Sequence, residues 1–347
     1  GLNLKAAGGK ALFERLVAEA DVVLSNFKPG TMAGLGFGHE ALAAINPRII
    51  VIESSAYGSS GPWSDRMGYG PLVRATAGLT RKWCYPGDDD GYSDSITVYP
   101  DHVAARLGAT AVAALLIRRL RSDRGGHGSI AQAEVILSHL ATEVALAELG
   151  SSAAAEPPDT PWGVFQAAGE DQWCVVTLRD DRDWRALAGL LGDAALSGPA
   201  YATRAKRIAA RDHIASRLSE WMHGQEAEAA ARALQGVGVP AAPMIRVAEL
   251  PEYPYFVERG LFRTDQHPLL PDALVTERRN VHSRVIPPPE ARPAPLMGEH
   301  SREVMHEWLG LDQQALDRLV AEGVLETVEP KILELIAAGR HMETSGW

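Results

Sequence analysis

Two apolar runs near the start of the chain, Asp21-Val22-Val23-Leu24-Ser25 and Ile49-Ile50-Val51-Ile52, each follow a stretch with helical spacing. Leu12, Leu16 and Val17 give the first helix its apolar stripe, and Glu40 to Ile45 reads as the second. Between the two units the breaker Asn26-Phe27-Lys28-Pro29-Gly30 ends the first strand. Strands that are apolar throughout, rather than in alternation, are buried on both faces, and strands joined through helices run parallel. The front of the chain is therefore expected to be α/β, with a doubly wound parallel sheet.

With 347 residues the chain exceeds what one core comfortably fills, since single cores seldom grow past roughly 250 to 300 residues. A long helix is expected after Pro100-Asp101, through Val103, Leu107, Ala111 and Leu116, with Gly125-Gly126 stopping it, and a further helix around 131–149. The stretch Ser151-Ser152-Ala153-Ala154-Ala155-Glu156-Pro157-Pro158 reads as a linker. Beyond it, Val164 to Ala167 and Trp173 to Leu178 form an expected hairpin across Gly169-Glu170-Asp171, followed by helices around 181–192 and 204–235. Ile286-Pro287-Pro288-Pro289, with Pro293 and Pro295, reads as a second linker before helices at 299–309 and 313–322. The expected division is 1–150, the first part of a large domain; 151–290, linkers and a small domain; and 291–347, a segment returning to the large domain.

Composition narrows the functional classes. A formal charge of −10 argues against nucleic acid, whose phosphates are met by clustered Lys and Arg. No long uncharged apolar run is present to span a membrane, and the start carries no basic segment followed by an apolar one, so a cytoplasmic protein is expected. Cys84 and Cys174 form no C-x-x-C pair, which points away from a disulfide framework and a thiolate metal site. The basic residues Lys5, Lys10, Arg15, Lys28, Arg66, Arg74, Arg81 and Lys82 all precede residue 83; they fit either a small polyanionic ligand or scattered solvated charges.

Among candidate reactive groups Asp101 stands out. At the mouth of the long helix it reads as an N-cap, a role compatible with that of an ionised nucleophile held by free backbone N–H groups. Weaker signals resolve to structure. Gly34-Leu35-Gly36-Phe37-Gly38 lacks dinucleotide spacing and reads as a turn, and Gly58-Ser59-Ser60-Gly61 falls short of a serine elbow. Asp88-Asp89-Asp90 reads as a solvated loop tip rather than a calcium loop, and His300, Glu303 and His306 as a solvated helix face rather than a zinc site. Trp162, Trp173 and Trp184 read as core of the second domain.

The ordered set Ala20-Asp21-Val22-Val23-Leu24-Ser25-Asn26-Phe27-Lys28-Pro29-Gly30, Ile45-Asn46-Pro47-Arg48, Gly61-Pro62-Trp63, Gly68-Tyr69-Gly70, Ala77-Gly78-Leu79, Arg124-Gly125-Gly126, Gln132-Ala133-Glu134, Arg259-Gly260-Leu261-Phe262 and Ala294-Pro295-Leu296-Met297-Gly298 resembles the family III CoA-transferases. That family includes formyl-CoA transferase, carnitine CoA-transferase and α-methylacyl-CoA racemase. The resemblance implies a large Rossmann-like domain with a parallel sheet, a smaller α+β domain and an interlocked homodimer. It implies coenzyme A moving between carboxylic acids, with Asp101 as nucleophile through an aspartyl anhydride and an aspartyl-CoA thioester, and no permanently bound cofactor or metal. Asn26, Phe27, Lys28, Tyr57 and Tyr69 fall on segments implied to line the CoA site; a solvent-facing role for Lys28 is equally compatible.

Three departures qualify the resemblance. Gly34 stands where the formyl-CoA branch has an arginine on CoA. Tyr69 stands where the racemase branch has a His, and a phenol is a poor acid/base group at neutral pH, so transfer is favoured over racemisation. The family's first strands would precede Gly1. The alternatives carried forward are an acyl-CoA racemase or epimerase, and a catalytically silent CoA-binding half of a larger protein.

Overall fold

The computed structural model describes residues 1–83, 98–150, 159–278, 281–288, 290 and 292–339. Two units emerge, the described residues of the first falling within Gly1–Ser151, His267–Pro271 and Pro293–Trp347, and those of the second within Ser152–Gln266 and Asp272–Arg292. Cys84, Asp88-Asp89-Asp90 and the 151–158 linker lie outside the described residues.

The first unit begins with α1 (Ala7–Glu19), β1 (Val22–Ser25), the short α2 (Thr31–Gly34), α3 (His39–Ile45) and β2 (Ile50–Ser55). Next come α4 (Gly70–Thr76), the 24-residue α5 (Tyr99–Ser122), β3 (Gly126–Ala131), α6 (Gln132–His139) and α7 (Ala141–Glu148). The strands lie in the order β1-β2-β3, all parallel, with Val22 opposite Ile50 and Ile50 opposite Gly126. One face packs Val51 against Val17, Phe37 and Leu42 of the α1–α3 layer. The other carries α5, which approaches closely because Ala104 and Gly108 are small: a β-carbon on Gly108 would stand 3.6 Å from Ile130 Cδ1. Ile50 and Ile52 are fully buried between these layers, each contributing about 1.5–3 kcal/mol by leaving water.

The parallel α/β organisation agrees with the expectation; several local readings do not. The long helix ends at Ser122, not at the glycines, because Asp123 takes a left-handed conformation, φ 53°, and its N–H closes on Arg119 O. Gly126 instead opens β3, a strand absent from the sequence reading. The expected 131–149 helix is two helices, broken at Leu140 (φ −103°, ψ 16°). A helix, α4, also forms inside the glycine-rich stretch after Tyr57.

The second unit has an antiparallel sheet of β4 (Trp162–Gln166), β5 (Trp173–Thr177) and β6 (Ala241–Pro243), in which β4 and β5 form the expected hairpin. Over it lie α8 (Asp181–Leu191), α9 (Arg204–Ala209), α10 (Arg211–His223) and α11 (Ala227–Gly236), so the expected 204–235 helix is three helices. Asp180 caps α8, its carboxylate accepting from Arg182 N at 2.9 Å and Asp183 N at 3.1 Å. Cys174, Trp184, Leu187, Ile214, Leu218 and Leu234 form the core. Trp184 joins it as expected, whereas Trp162 is 51% exposed: its neighbour Phe165, three residues on, faces the core while Trp162 faces out. Beyond β6 lie α12 (Pro254–Glu258) and the hairpin of β7 (Phe262–Asp265) and β8 (Leu274–Glu277).

Three C-terminal helices, α13 (Ser301–Leu309), α14 (Gln313–Ala321) and α15 (Pro330–Ala337), belong to the first unit. Met305, Leu316 and Leu325 pack with Leu2 and Leu16, and Leu2 pairs with Leu325 across an isolated bridge, tying the beginning of the chain to its last third.

Candidate active site

Parallel strands with helical connections present their carboxyl ends as ligand crevices, because loops diverge there and helix N-termini point inward. In the first unit that edge carries Ser25 at the end of β1, Ser54 near the end of β2 and Gln132 just beyond β3. These residues, with Asn26 and Asp101, line a cleft of about 690 Å³ whose remaining wall is largely hydrocarbon, including Leu24, Ile52, Ala104 and Ile130. A cleft of that size with few polar groups is suited to an elongated organic ligand held by its apolar length.

Asp101 sits in the first turn of α5, where the helix dipole favours a carboxylate. It is not the N-cap. Pro100 occupies the first turn, the helix starts at Tyr99, and Val98 flanks it without side-chain capping. Freed from capping, the carboxylate turns across the site: Gln132 Nε2 donates to Asp101 Oδ1 at 3.1 Å. Oδ2 is buried and has no hydrogen-bond partner among the described residues, and the same holds for Gln132 Oε1. A buried unpaired acceptor costs about 1–3 kcal/mol, so this corner is tuned for something other than stability.

Gly70, the first residue of α4, packs directly on Oδ2. A β-carbon there would collide with that oxygen and stand 2.8 Å from Val98 Cα, a backbone atom that cannot turn aside. The glycine thus permits a close approach of two segments around the carboxylate.

The sequence-expected residues divide into two groups. Asn26 and Asp101 meet in the cleft. Phe27 and Lys28 follow Asn26 on an exposed turn, Phe27 being 53% exposed and its N–H pointing to Ser25 Oγ at 3.4 Å. Tyr57 bonds Thr76 Oγ1 at 3.3 Å and packs edge-on against Trp63, while Tyr69 is 71% exposed beside Gly70. None of Phe27, Lys28, Tyr57 and Tyr69 lines the cleft in this structure. Gly34 ends α2 with open space beside it. Of the early basic residues, Arg74 is unavailable to a ligand, being 2% exposed with its guanidinium over Trp83 and Nε on Thr80 Oγ1. Gln132 falls in the family-like segment Gln132-Ala133-Glu134, where the pattern alone gives it no role. Its signal was positional, a polar residue where a parallel strand gives way to a helix.

No group of three or more His, Cys, Asp or Glu among the described residues is arranged to hold a metal. His306 Nδ1 lies 2.9 Å from Leu311 O, in the turn that follows its own helix. No helix among the described residues is long and apolar enough to cross a membrane.

A carboxylate-bearing helix mouth at the carboxyl edge of a parallel sheet defines an α/β ligand crevice by geometry, and comparison supplies the family. The family model for CoA-transferase family III matches residues 1–301, and the chain belongs to that family of transferases. It is 42% identical over 333 residues to a probable CoA-transferase of Mycobacterium tuberculosis, covering 94% of this chain but 42% of the relative, so it spans about two fifths of that protein's length. It is 30% identical over 282 residues to the acetyl-CoA:oxalate CoA-transferase of Acetobacter aceti, covering 75% of this chain and 68% of the relative. The crystal structure of a CAIB/BAIF family protein from Brucella suis superposes with a TM-score of 0.77 at 25% identity, covering 88% of this chain and 80% of that one.

Proposed function

We propose that this chain carries the nucleophile of an acyl-CoA:carboxylate CoA-transferase, and that the nucleophile is Asp101. The supporting observation is the state of its carboxylate: at a helix mouth, on the wall of an apolar cleft, with one oxygen held by Gln132 and the other without a partner. The large majority of buried polar side-chain atoms that serve the fold are hydrogen-bonded, so an orphan carboxylate oxygen beside a cleft favours a role toward a ligand.

In the proposed reaction Asp101 attacks the thioester carbonyl, the C–S bond breaks and CoA leaves as thiolate, giving a mixed anhydride. The thiolate attacks the aspartyl carbonyl and expels the donor carboxylate, giving an aspartyl-CoA thioester. The acceptor carboxylate attacks that thioester, and returning thiolate collects the new acyl group, restoring Asp101. Carboxylates and thiolates exchange without net proton or electron transfer, so no resident cofactor is called for. Asn26 meets the pantetheine arm in the cleft, with Phe27, Lys28, Tyr57 and Tyr69 joining through movement of their segments. The protein works in the cytoplasm as an interlocked homodimer.

The acids of the relatives, oxalate in the Acetobacter enzyme and D-citramalate in the succinyl-CoA-dependent enzyme of Chloroflexus aurantiacus, make short dicarboxylic acids the first acceptors to try. The test is acyl exchange by the full-length protein over a panel of CoA donors and such acids, with Asp101→Asn beside it. Exchange lost in the variant supports the reading, and full activity in the variant ends it. Solvent deuterium entering the α-carbon of an acyl-CoA would instead identify a racemase or epimerase, because carboxylate transfer exchanges no such proton. Tight CoA binding with no exchange for any pair would identify a silent CoA-binding half.

A further inference from the structure

The amide of Gln132 is 8% exposed, yet only one of its polar atoms is used: Nε2 donates to Asp101 Oδ1 at 3.1 Å, and Oε1 has no partner among the described residues. The amide orientation is dictated by chemistry, because the reverse one would set two oxygens against each other. Gln132 starts α6 directly after β3, on the sheet edge that also supplies Ser54, so its backbone is anchored by the strand while its side chain reaches across to α5.

We propose that Gln132 is the hydrogen-bond donor that fixes the carboxylate of Asp101 and then carries the negative charge that develops on Oδ1 during transfer. The inference rests on the reading of Asp101 as nucleophile. Oδ2, the oxygen without a hydrogen bond, forms the bond to the acyl group once the Gly68–Gly70 segment shifts to uncover it; Oδ1 is then left as the carbonyl oxygen of the aspartyl anhydride. When CoA thiolate adds to Cγ, the electron pair of that carbonyl moves onto Oδ1. When it returns, the Cγ–Oδ2 bond breaks and the donor acid leaves as carboxylate. The amide N–H of Gln132 already faces Oδ1, so this charge meets a donor that needs no reorganisation. The same donor serves when the acceptor carboxylate adds to the aspartyl-CoA thioester. The other buried orphan acceptor, Gln132 Oε1, would be met by an N–H group of the ligand, which only its arrival supplies.

The test uses the full-length protein and two variants. Gln132→Leu removes the donor while keeping the bulk; kcat should fall about 10²-fold, in the range found for single oxyanion donors, with KM for the acyl-CoA within about two-fold. Gln132→Glu places a second carboxyl against Asp101, and the two share one proton. While protonated, the introduced carboxyl still donates, so the rate should pass through a maximum and decline as pH rises through the second ionisation. The wild-type rate should show no such decline in that range. Wild-type kcat in Gln132→Leu, or a wild-type pH profile in Gln132→Glu, overturns the proposal while leaving Asp101 as nucleophile. If the wild-type protein exchanges no acid pair, the reading of Asp101 fails first. A carbon-13 titration of the Asp101 carboxyl then decides the donor: a midpoint raised in both variants supports it, and an unchanged midpoint overturns it.

Discussion

Gly70 faces Asp101 Oδ2 so closely that no β-carbon fits between them, and Val98 closes the same space from the backbone side. The carboxylate is thereby confined between α4, the start of α5 and the amide of Gln132. Gly70→Ala should displace the carboxylate, because the methyl group can move neither Val98 Cα nor its own helix start. We expect a loss of about 1–3 kcal/mol in stability, typical of overpacking, and a larger loss of exchange activity. Thermal melts beside exchange rates check this; a fully active variant would show that the close approach is incidental.

Replacing Asp101 itself should separate activity from stability. Asp101→Ala removes a buried unpaired oxygen but also leaves the Gln132 amide without its acceptor, so the two effects offset and stability should stay within about 1 kcal/mol of wild type. Exchange should fall by about 10³-fold or more, as when a covalent nucleophile is removed. A variant that unfolds would instead assign the side chain to the fold.

On the opposite side of the sheet, His39 and His127 lie with ring centroids 5.2 Å apart, and His127 Nε2 is 2.8 Å from Glu53 Oε2. Burial, and next the neighbouring His127, hold the His39 imidazole below its ordinary value; Glu40 and Glu53 oppose them. The unfolded chain therefore binds the proton more readily than the folded one. The stability linked to His39 is present above about pH 6.5 and is lost as pH falls toward the depressed folded value. His39→Gln should flatten this slope, measured as denaturant midpoints between about pH 5 and 7.5.

In the second unit Arg207 and Asp159 are each 1% exposed and paired, Nε on Oδ1 at 2.9 Å, with a second contact from Nη2 to Oδ2. Asp159 Oδ1 also accepts from Thr160 N at 2.8 Å. Arg207→Leu would leave a buried carboxylate without its cation, at a cost of about 3–5 kcal/mol. The double variant Arg207→Leu with Asp159→Asn should recover much of that, since no buried charge then lacks a partner; Asp181, which also contacts Arg207 Nη2, is exposed and stays solvated. Chemical denaturation of the three proteins provides the comparison.

The α/β frame was legible because Val22 to Leu24 and Ile50 to Ile52 are strand residues whose apolar character is continuous; the second run is buried as that pattern implies, whereas β1 is only partly covered, with Leu24 exposed on the cleft. β3 was not legible, and the reason is steric. A β-carbon at Gly126 would stand 2.8 Å from Leu115 Cδ2, and one at Gly128 2.9 Å from Ile52 Cδ1, so glycines sit where a strand signal would otherwise be. Asp101 was legible as a residue at a helix mouth, but its assignment as a cap failed because Pro100 belongs to the first turn and moves the helix start back to Tyr99. The Gln132 contact spans 31 residues, and it is brought about by the packing of α5 against β3 and α6, which no local pattern announces.

The most direct test is chemical trapping at the carboxylate. The full-length protein incubated with an acyl-CoA donor and quenched with hydroxylamine should yield an aspartyl hydroxamate on the peptide containing Asp101, dependent on the donor and absent from Asp101→Asn. Active exchange with that peptide unmodified, or with the adduct on another residue, would contradict the account.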